Sequence, residues 1–133
     1  MARLILDTSV LVAAQRHGGG AEIFLADSDD CAIAAVTAAE LLVGVEVGEG
    51  RSREERRRYV EAMLDALTVE EYDLDVARDH AVLLASVRRS GRPRGAHDLI
   101  IAATAVASGR AVVTTDTAGF ADLPGVTVRS PAA

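Results

Sequence analysis

Short apolar runs alternate with longer segments of helical spacing along most of this chain. Leu4-Ile5-Leu6 is the first run, and its unbroken apolar character predicts a strand covered on both faces. Asp7 ends it, Thr8 and Ser9 follow, and Val10, Leu11, Ala13 and Ala14 then recur at the spacing of a helix face. Gly18 to Gly20 break that helix. A short helix through Ile23, Phe24 and Leu25 comes next and closes in an acidic turn from Asp27 to Asp30. Cys31 to Ala35 reads as a second buried strand, leading into a helix over Val36 to Gly44. Beyond a polar link at Gly48 to Gly50, Tyr59, Val60, Met63, Leu64 and Leu67 mark another helix. Its first turns carry the charged run Arg51 to Arg58, facing solvent.

Val69 to Tyr72 is a weak strand candidate, and either Asp73 or Asp75 is placed to cap the helix that follows. The apolar stripe of that helix is Val76, Ala77, His80, Ala81, Leu83, Leu84 and Val87, where His80 reads as a packed core residue. Gly91, Pro93 and Gly95 stop it in a basic turn that holds Arg88, Arg89, Arg92 and Arg94. Ala96 to Ala105 is apolar on most faces and predicts a largely buried helix, with Asp98 near its start. Ala111 to Thr114 is a further buried strand, ended by Thr115-Asp116-Thr117 much as Asp7 ends the first; Val126 to Val128 is the last. This alternation predicts a three-layer α/β fold, a parallel sheet between helices, as a single domain over residues 1–133.

Composition narrows the classes. Half of the 133 residues are hydrophobic, enough for a real core. The longest apolar run, Leu99 to Ala107, falls well short of the ~18 residues of a membrane span. The early charge at Asp7 leaves no secretory segment, so a cytoplasmic protein is expected. Cys31 is the single cysteine, and its apolar neighbours predict burial. A net charge of −6 argues against a generic nucleic-acid coat, but not against an enzyme whose clustered acids are neutralised by divalent cations. All 14 basic residues are arginine, which removes phosphate-loop and Schiff-base chemistry and any lysine partner for a phosphorylated aspartate.

Four acids fall where strand ends and helix starts would meet: Asp7, Glu40, Asp98 and Asp116. Each has an ordinary alternative as a cap, and Glu40 fits a capping box with Thr37. Four caps converging on one crevice would repel one another at large cost unless neutralised, and hard oxygen donors suit Mg²⁺ or Mn²⁺. No zinc pattern is present. A carboxylate-bound cation suits phosphodiester hydrolysis, because it activates water and offsets charge on the phosphate. Asp27, Asp29 and Asp30 lack the glycine-containing pattern of a calcium loop and read as a solvated turn. His97 points roughly 100° from Asp98 on a helix, so spacing does not assign it to the same site.

Asp7-Thr8-Ser9, Ala-Ala-Glu40-Leu, Asp98 followed by Leu-Ile-Ile-Ala-Ala-Thr-Ala, and Val-Val-Thr-Thr-Asp116 resemble the successive motifs of the PIN domain. In length and order the chain is most similar to the VapC-type toxins of bacterial toxin–antitoxin pairs, over about residues 3 to 129. The resemblance implies a PIN-like parallel sheet and a metal-dependent endoribonuclease. Asp7, Glu40, Asp98 and Asp116 would be its catalytic metal ligands, directly or through water, with Mg²⁺ or Mn²⁺ as cofactor. Ser9 and Thr114 match hydroxyl positions that support the first and last acids. Homodimers and a cognate antitoxin, often placing a basic side chain in the acidic pocket, are implied as well. Many relatives carry another acid three residues after the Asp116 position, where this chain has Gly119, so a second cation is not assigned.

An acidic crevice repels a polyanion, so an RNA substrate needs positive charge beside it. Arg88, Arg89, Arg92 and Arg94 supply the densest basic stretch without interleaved acids, and Arg92 and Arg94 are expected to hold the RNA backbone without affecting metal binding. Three other readings remain: a PIN-like RNA-processing nuclease outside a toxin–antitoxin pair, a catalytically silent binding module that keeps the acids as caps, and a phosphoacceptor or dehalogenase-like protein with Asp7 as nucleophile. The missing lysine counts against the last.

Overall fold

The structure, a computed structural model, describes residues 1–20, 23 and 29–131. Its sheet has five parallel strands: β1 (Arg3–Leu6), β2 (Asp30–Ala34), β3 (Thr68–Glu70), β4 (Ala111–Val113) and β5 (Val128–Arg129). They lie in the order β3-β2-β1-β4-β5. The helices among the described residues that flank it are α1 (Thr8–Arg16), α2 (Ala35–Glu46), α3 (Gly50–Ala66), α4 (Leu74–Ser90) and α5 (Ala96–Ser108). None is long and apolar enough to cross a membrane. Phe24, Leu25 and Asp27, part of the expected short helix and acidic turn, fall outside the described residues.

Successive strand residues point to opposite faces, which sorts the apolar runs into two cores. Ile5, Ala34 and Val112 face the cluster built by Val76, Leu83 and Val87 of α4 with Leu99, Ile101, Ala102 and Ala105 of α5. Leu4, Leu6, Ile33 and Val113 face the other, with Val10 and Leu11 of α1 and Met63 of α3. That is the expected three-layer arrangement, and it explains why the runs carry no polar positions: neither face of the inner strands meets water. β1 is central. The chain winds outward from it to β2 and β3 on one side and to β4 and β5 on the other, so the crevice at the carboxyl ends of β1 and β4 is the topological switch point.

Local signals set most helix ends. Asp73, rather than Asp75, caps α4 by accepting from Val76 N at 3.0 Å. Gly91 ends that helix in the left-handed conformation, at φ 68°, and Pro93 follows before α5 begins. The run Arg51 to Arg58 lies in the first half of α3, as its spacing predicts.

Several expectations need correction. Asp29 and Asp30 are not a solvated turn: Asp29 Oδ1 accepts from the Ala2 amide, and Asp30 opens β2 while pairing with Arg3 and Arg110. Cys31 is only partly buried, because it lies near the start of β2, where coverage thins. His80 is also partly exposed, its Nδ1 2.8 Å from the Tyr72 hydroxyl and its ring edge-on to the tyrosine, because it lies at the margin of the apolar stripe.

Arg110, just before β4, is a structural element the sequence pattern did not single out. Its buried guanidinium donates to Glu70 Oε1 (3.0 and 3.2 Å) and to the Leu4 and Asp30 carbonyls (3.2 and 3.0 Å), and pairs with Asp30 Oδ1 at 3.1 Å. One side chain thereby ties the entry to β4 to β1, β2 and β3.

Candidate active site

The apolar strand β1 delivers Asp7 to the carboxyl edge of the sheet, where the Asp7 amide donates to the Val113 carbonyl of β4 at 2.9 Å. Asp7 is the N-cap of α1, but its carboxylate does more than cap. Oδ1 accepts from Thr8 N at 2.8 Å, and Oδ2 accepts from both the Ser9 and Thr114 hydroxyls at 2.9 Å. Those hydroxyls are themselves oriented: Ser9 Oγ accepts from Thr115 N and Thr114 Oγ1 from Asp116 N. The buried Asp7 is therefore held in one orientation by three donors. Thr114 supports the first acid through its hydroxyl, and the last only through the Asp116 backbone.

Glu40 does not belong to a capping box. α2 starts at Ala35, earlier than the pattern predicts, so Thr37 is already helical and fully buried, and Glu40 is in the second turn. Its side chain leans back toward the helix start, as helical side chains do, and so reaches the sheet edge. Thr8 Oγ1 donates to Glu40 Oε1 at 3.1 Å, and His97 Nδ1 lies 3.6 Å from Oε2. Thr8 thus spans two acids, with its amide on Asp7 and its hydroxyl on Glu40. Spacing did not place His97 here, because its approach to Glu40 depends on how α5 docks beside α2.

Asp98 lies in the first turn of α5 and Asp116 caps the short 3₁₀ turn Thr117–Gly119, with Oδ1 accepting from Gly119 N at 3.3 Å. A Cβ added at Gly119 would lie 3.0 Å from Asp116 Oδ2 and 3.5 Å from Asp98 Oδ2, so the absence of a side chain leaves a space that both carboxylates border. Gly95 also approaches Asp98, where a Cβ would stand 3.1 Å from the same Oδ2. Among the described residues no hydrogen bond reaches the Asp98 carboxylate. Burial pushes its pKa up, and the charges of Asp7, Asp116 and Glu40 push it further; His97 opposes them. Asp98 therefore stands within electrostatic reach of the other three acids.

Among the described residues, no group of three or more acids, histidines and cysteines is arranged to enclose an ion. The donors these acids offer are carboxylate oxygens, hard ligands of the kind that a divalent cation takes together with water. Asp98 stands among like charges with its carboxylate free of hydrogen-bond donors among the described residues.

The basic loop lies next to this crevice. Arg94 Nη1 donates to the Ala118 carbonyl of the 3₁₀ turn at 2.9 Å, while Arg92 is exposed.

The PIN domain family profile matches residues 4–126. The chain is 28% identical over 130 residues to the tRNA(fMet)-specific endonuclease VapC of Salmonella typhimurium, covering 96% of this chain and 97% of that one. It superposes with a TM-score of 0.84 on a chain of DNA-bound VapBC from Salmonella typhimurium, at 27% identity and 98% coverage of each. A chain of VapBC-5 from Mycobacterium tuberculosis, a member of the VapBC family of toxin–antitoxin systems, matches with a TM-score of 0.75, 32% identity and full coverage of both. With the motif acids on one sheet edge and the family profile spanning nearly the whole chain, this protein belongs to the PIN-domain family.

Proposed function

We propose that the chain is a divalent-metal-dependent endoribonuclease acting in the cytoplasm as the toxin of a toxin–antitoxin pair. The observation that carries the chemistry is Asp98: undonated among the described residues, flanked by two glycines, and raised in pKa first by burial and then by the charges of Asp7, Asp116 and Glu40. The similarity to a VapC endonuclease and to VapBC chains supports RNA as the substrate and an antitoxin as the partner. Asp98 and Asp116 would hold Mg²⁺ or Mn²⁺, with Asp7 and Glu40 completing the negative field, directly or through water. Bound there, the cation supplies an activated water and offsets charge on the scissile phosphate. Thr8, Ser9 and Thr114 keep Asp7 and Glu40 aimed without competing as ligands. An antitoxin arginine placed against these acids would block the site by the same attraction, and a homodimer is the expected assembly.

The test is cleavage of total RNA by the purified chain. Cleavage should appear with Mg²⁺ or Mn²⁺, vanish with a chelator, and return when the metal is restored. Undiminished cleavage in chelator would overturn the metal role. End-sequencing of the products would identify the RNA, with tRNA the first class to inspect.

Arg92 belongs to the exposed basic edge with Arg88 and Arg89 and is the candidate phosphate contact. Arg92→Ala should weaken RNA binding across sequences and flatten its log–log salt dependence by up to roughly 0.7 per lost contact to a single strand. An unchanged affinity and slope would leave Arg92 outside the RNA path.

A further inference from the structure

We infer that Arg94 is a positioning residue for the metal site: it holds Asp116 in place through the Ala118 carbonyl, and so makes the basic loop part of the carboxylate crevice. The inference rests on the metal-dependent reading above.

Asp116 is the acid with the weakest support. Asp7 is buried and held by three donors, and Glu40 and Asp98 stand on regular helices. Asp116 is exposed, beyond the last residue of β4, at the head of a turn only three residues long. What fixes that turn can be named. At its start the Asp116 amide donates to Thr114 Oγ1 at 3.0 Å. Past its end, Phe120 is buried in the core formed by α4 and α5. Across its middle, Ala118 is exposed, and its carbonyl takes the Arg94 guanidinium at 2.9 Å. Together with Asp116 Oδ1, which accepts from Gly119 N at 3.3 Å, that contact holds the span between the two anchors, and it alone of the two comes from another segment of the chain.

The direction of the clamp matters. Arg94 comes from the connection between α4 and α5, one residue before the Gly95 N-cap of the helix that carries Asp98. Gly95 and Gly119 both approach the same Asp98 Oδ2, an added Cβ lying 3.1 and 3.5 Å from it. The Arg94–Ala118 bond joins the segment of Gly95 to the segment of Gly119, and so ties together the two stretches of chain that approach Asp98 Oδ2. A guanidinium suits this task because its planar fork reaches a carbonyl at a fixed angle and keeps its charge at any working pH.

An arginine that only touched RNA would affect substrate binding and nothing else. A positioning arginine should affect the metal in the absence of RNA. The experiment is titration of Mn²⁺ into the RNA-free protein by calorimetry, for the wild type, Arg94→Ala, Arg94→Lys and Arg92→Ala, with amide exchange at Gly119 and Phe120 followed by NMR. Arg94→Ala should weaken Mn²⁺ binding by roughly 10-fold, the low end for removing an outer-shell partner, because the contact is partly exposed. Arg94→Lys should recover part of this, since an ammonium can still donate to Ala118. Arg92→Ala should bind Mn²⁺ as the wild type does. The Gly119 and Phe120 amides should exchange faster in Arg94→Ala alone, with thermal stability held. In RNA cleavage, kcat should fall while KM changes little.

If Arg94→Ala binds Mn²⁺ like the wild type, or raises KM with kcat intact, Arg94 is an RNA contact and the inference is wrong. Unchanged amide exchange at Gly119 and Phe120 overturns the clamp even without any metal measurement. Faster exchange in a protein whose wild type binds no Mn²⁺ at all would instead sink the metal reading, and the positioning role with it.

Discussion

Asp98→Asn should abolish RNA cleavage and at the same time make the protein more stable at neutral pH. The substitution keeps the side-chain volume and removes the charge, so the cation loses its undonated carboxylate. The loss of activity should exceed the roughly 10–100-fold that follows loss of an outer-shell partner. The gain in stability follows from the raised pKa, caused first by burial and then by Asp7, Asp116 and Glu40. Because the folded protein holds the Asp98 proton more tightly than the unfolded chain, ionising Asp98 costs stability. That cost is absent below the usual aspartate value, grows as pH rises from there through the raised folded value, and is complete above it. Asp98→Asn should therefore match the wild type in acid and exceed it at neutral pH, as urea unfolding across pH would show. Mn²⁺ should stabilise the wild type and leave the variant unaffected. Equal stability at all pH values would mean that the acids do not repel one another through Asp98. Asp7→Asn is a poorer probe: its amide nitrogen would face either the Thr8 N–H or two hydroxyls already committed to backbone donors, so folding would suffer with activity.

Arg110→Met should produce the largest loss of stability of any single change considered, about 3 kcal/mol. The substitution fills much of the volume but strands Glu70, leaves the Asp30 side chain with Arg3 alone, and removes the Arg110 donor from the Leu4 and Asp30 carbonyls. The estimate is at the lower end for breaking a buried ion pair because both acids are partly exposed and regain water. Urea unfolding should show a lower midpoint with an unchanged slope. Adding Glu70→Gln should restore part of the loss, since it removes one of the uncompensated charges. A loss below about 1 kcal/mol, the scale of a surface pair, would show that Arg110 is not holding the strands together.

The trade between these two sites is a general one. Arg110 gathers opposite charges and strengthens the fold, while the crevice gathers like charges and weakens it. Such a penalty persists where function uses the strain, and on the proposed reading that use is cation binding.

Much of this was legible along the chain. The apolar runs of β1, β2 and β4 and the stripe of α4 report burial directly, because each residue's partition between water and core is a property of that residue and its period. The positions of the four acids, past strand ends or in the first turns of helices, were legible for a related reason, because local pattern marks those places. Register across strands, by contrast, is set by packing, so β3 and β5 came out shifted from their expected positions. Glu40 was expected in a capping box because Thr37 and Glu40 have the right spacing; the earlier start of α2 buried Thr37 and freed Glu40 for the site. His97 against Glu40, Thr8 between two acids, Arg94 on Ala118 and Arg110 among three strands all join residues distant in sequence. The sequence by itself determined which residues are apolar, which are charged and where the chain must turn. Only the tertiary structure decided which charges meet, because attraction and repulsion act through space at distances that chain order does not contain.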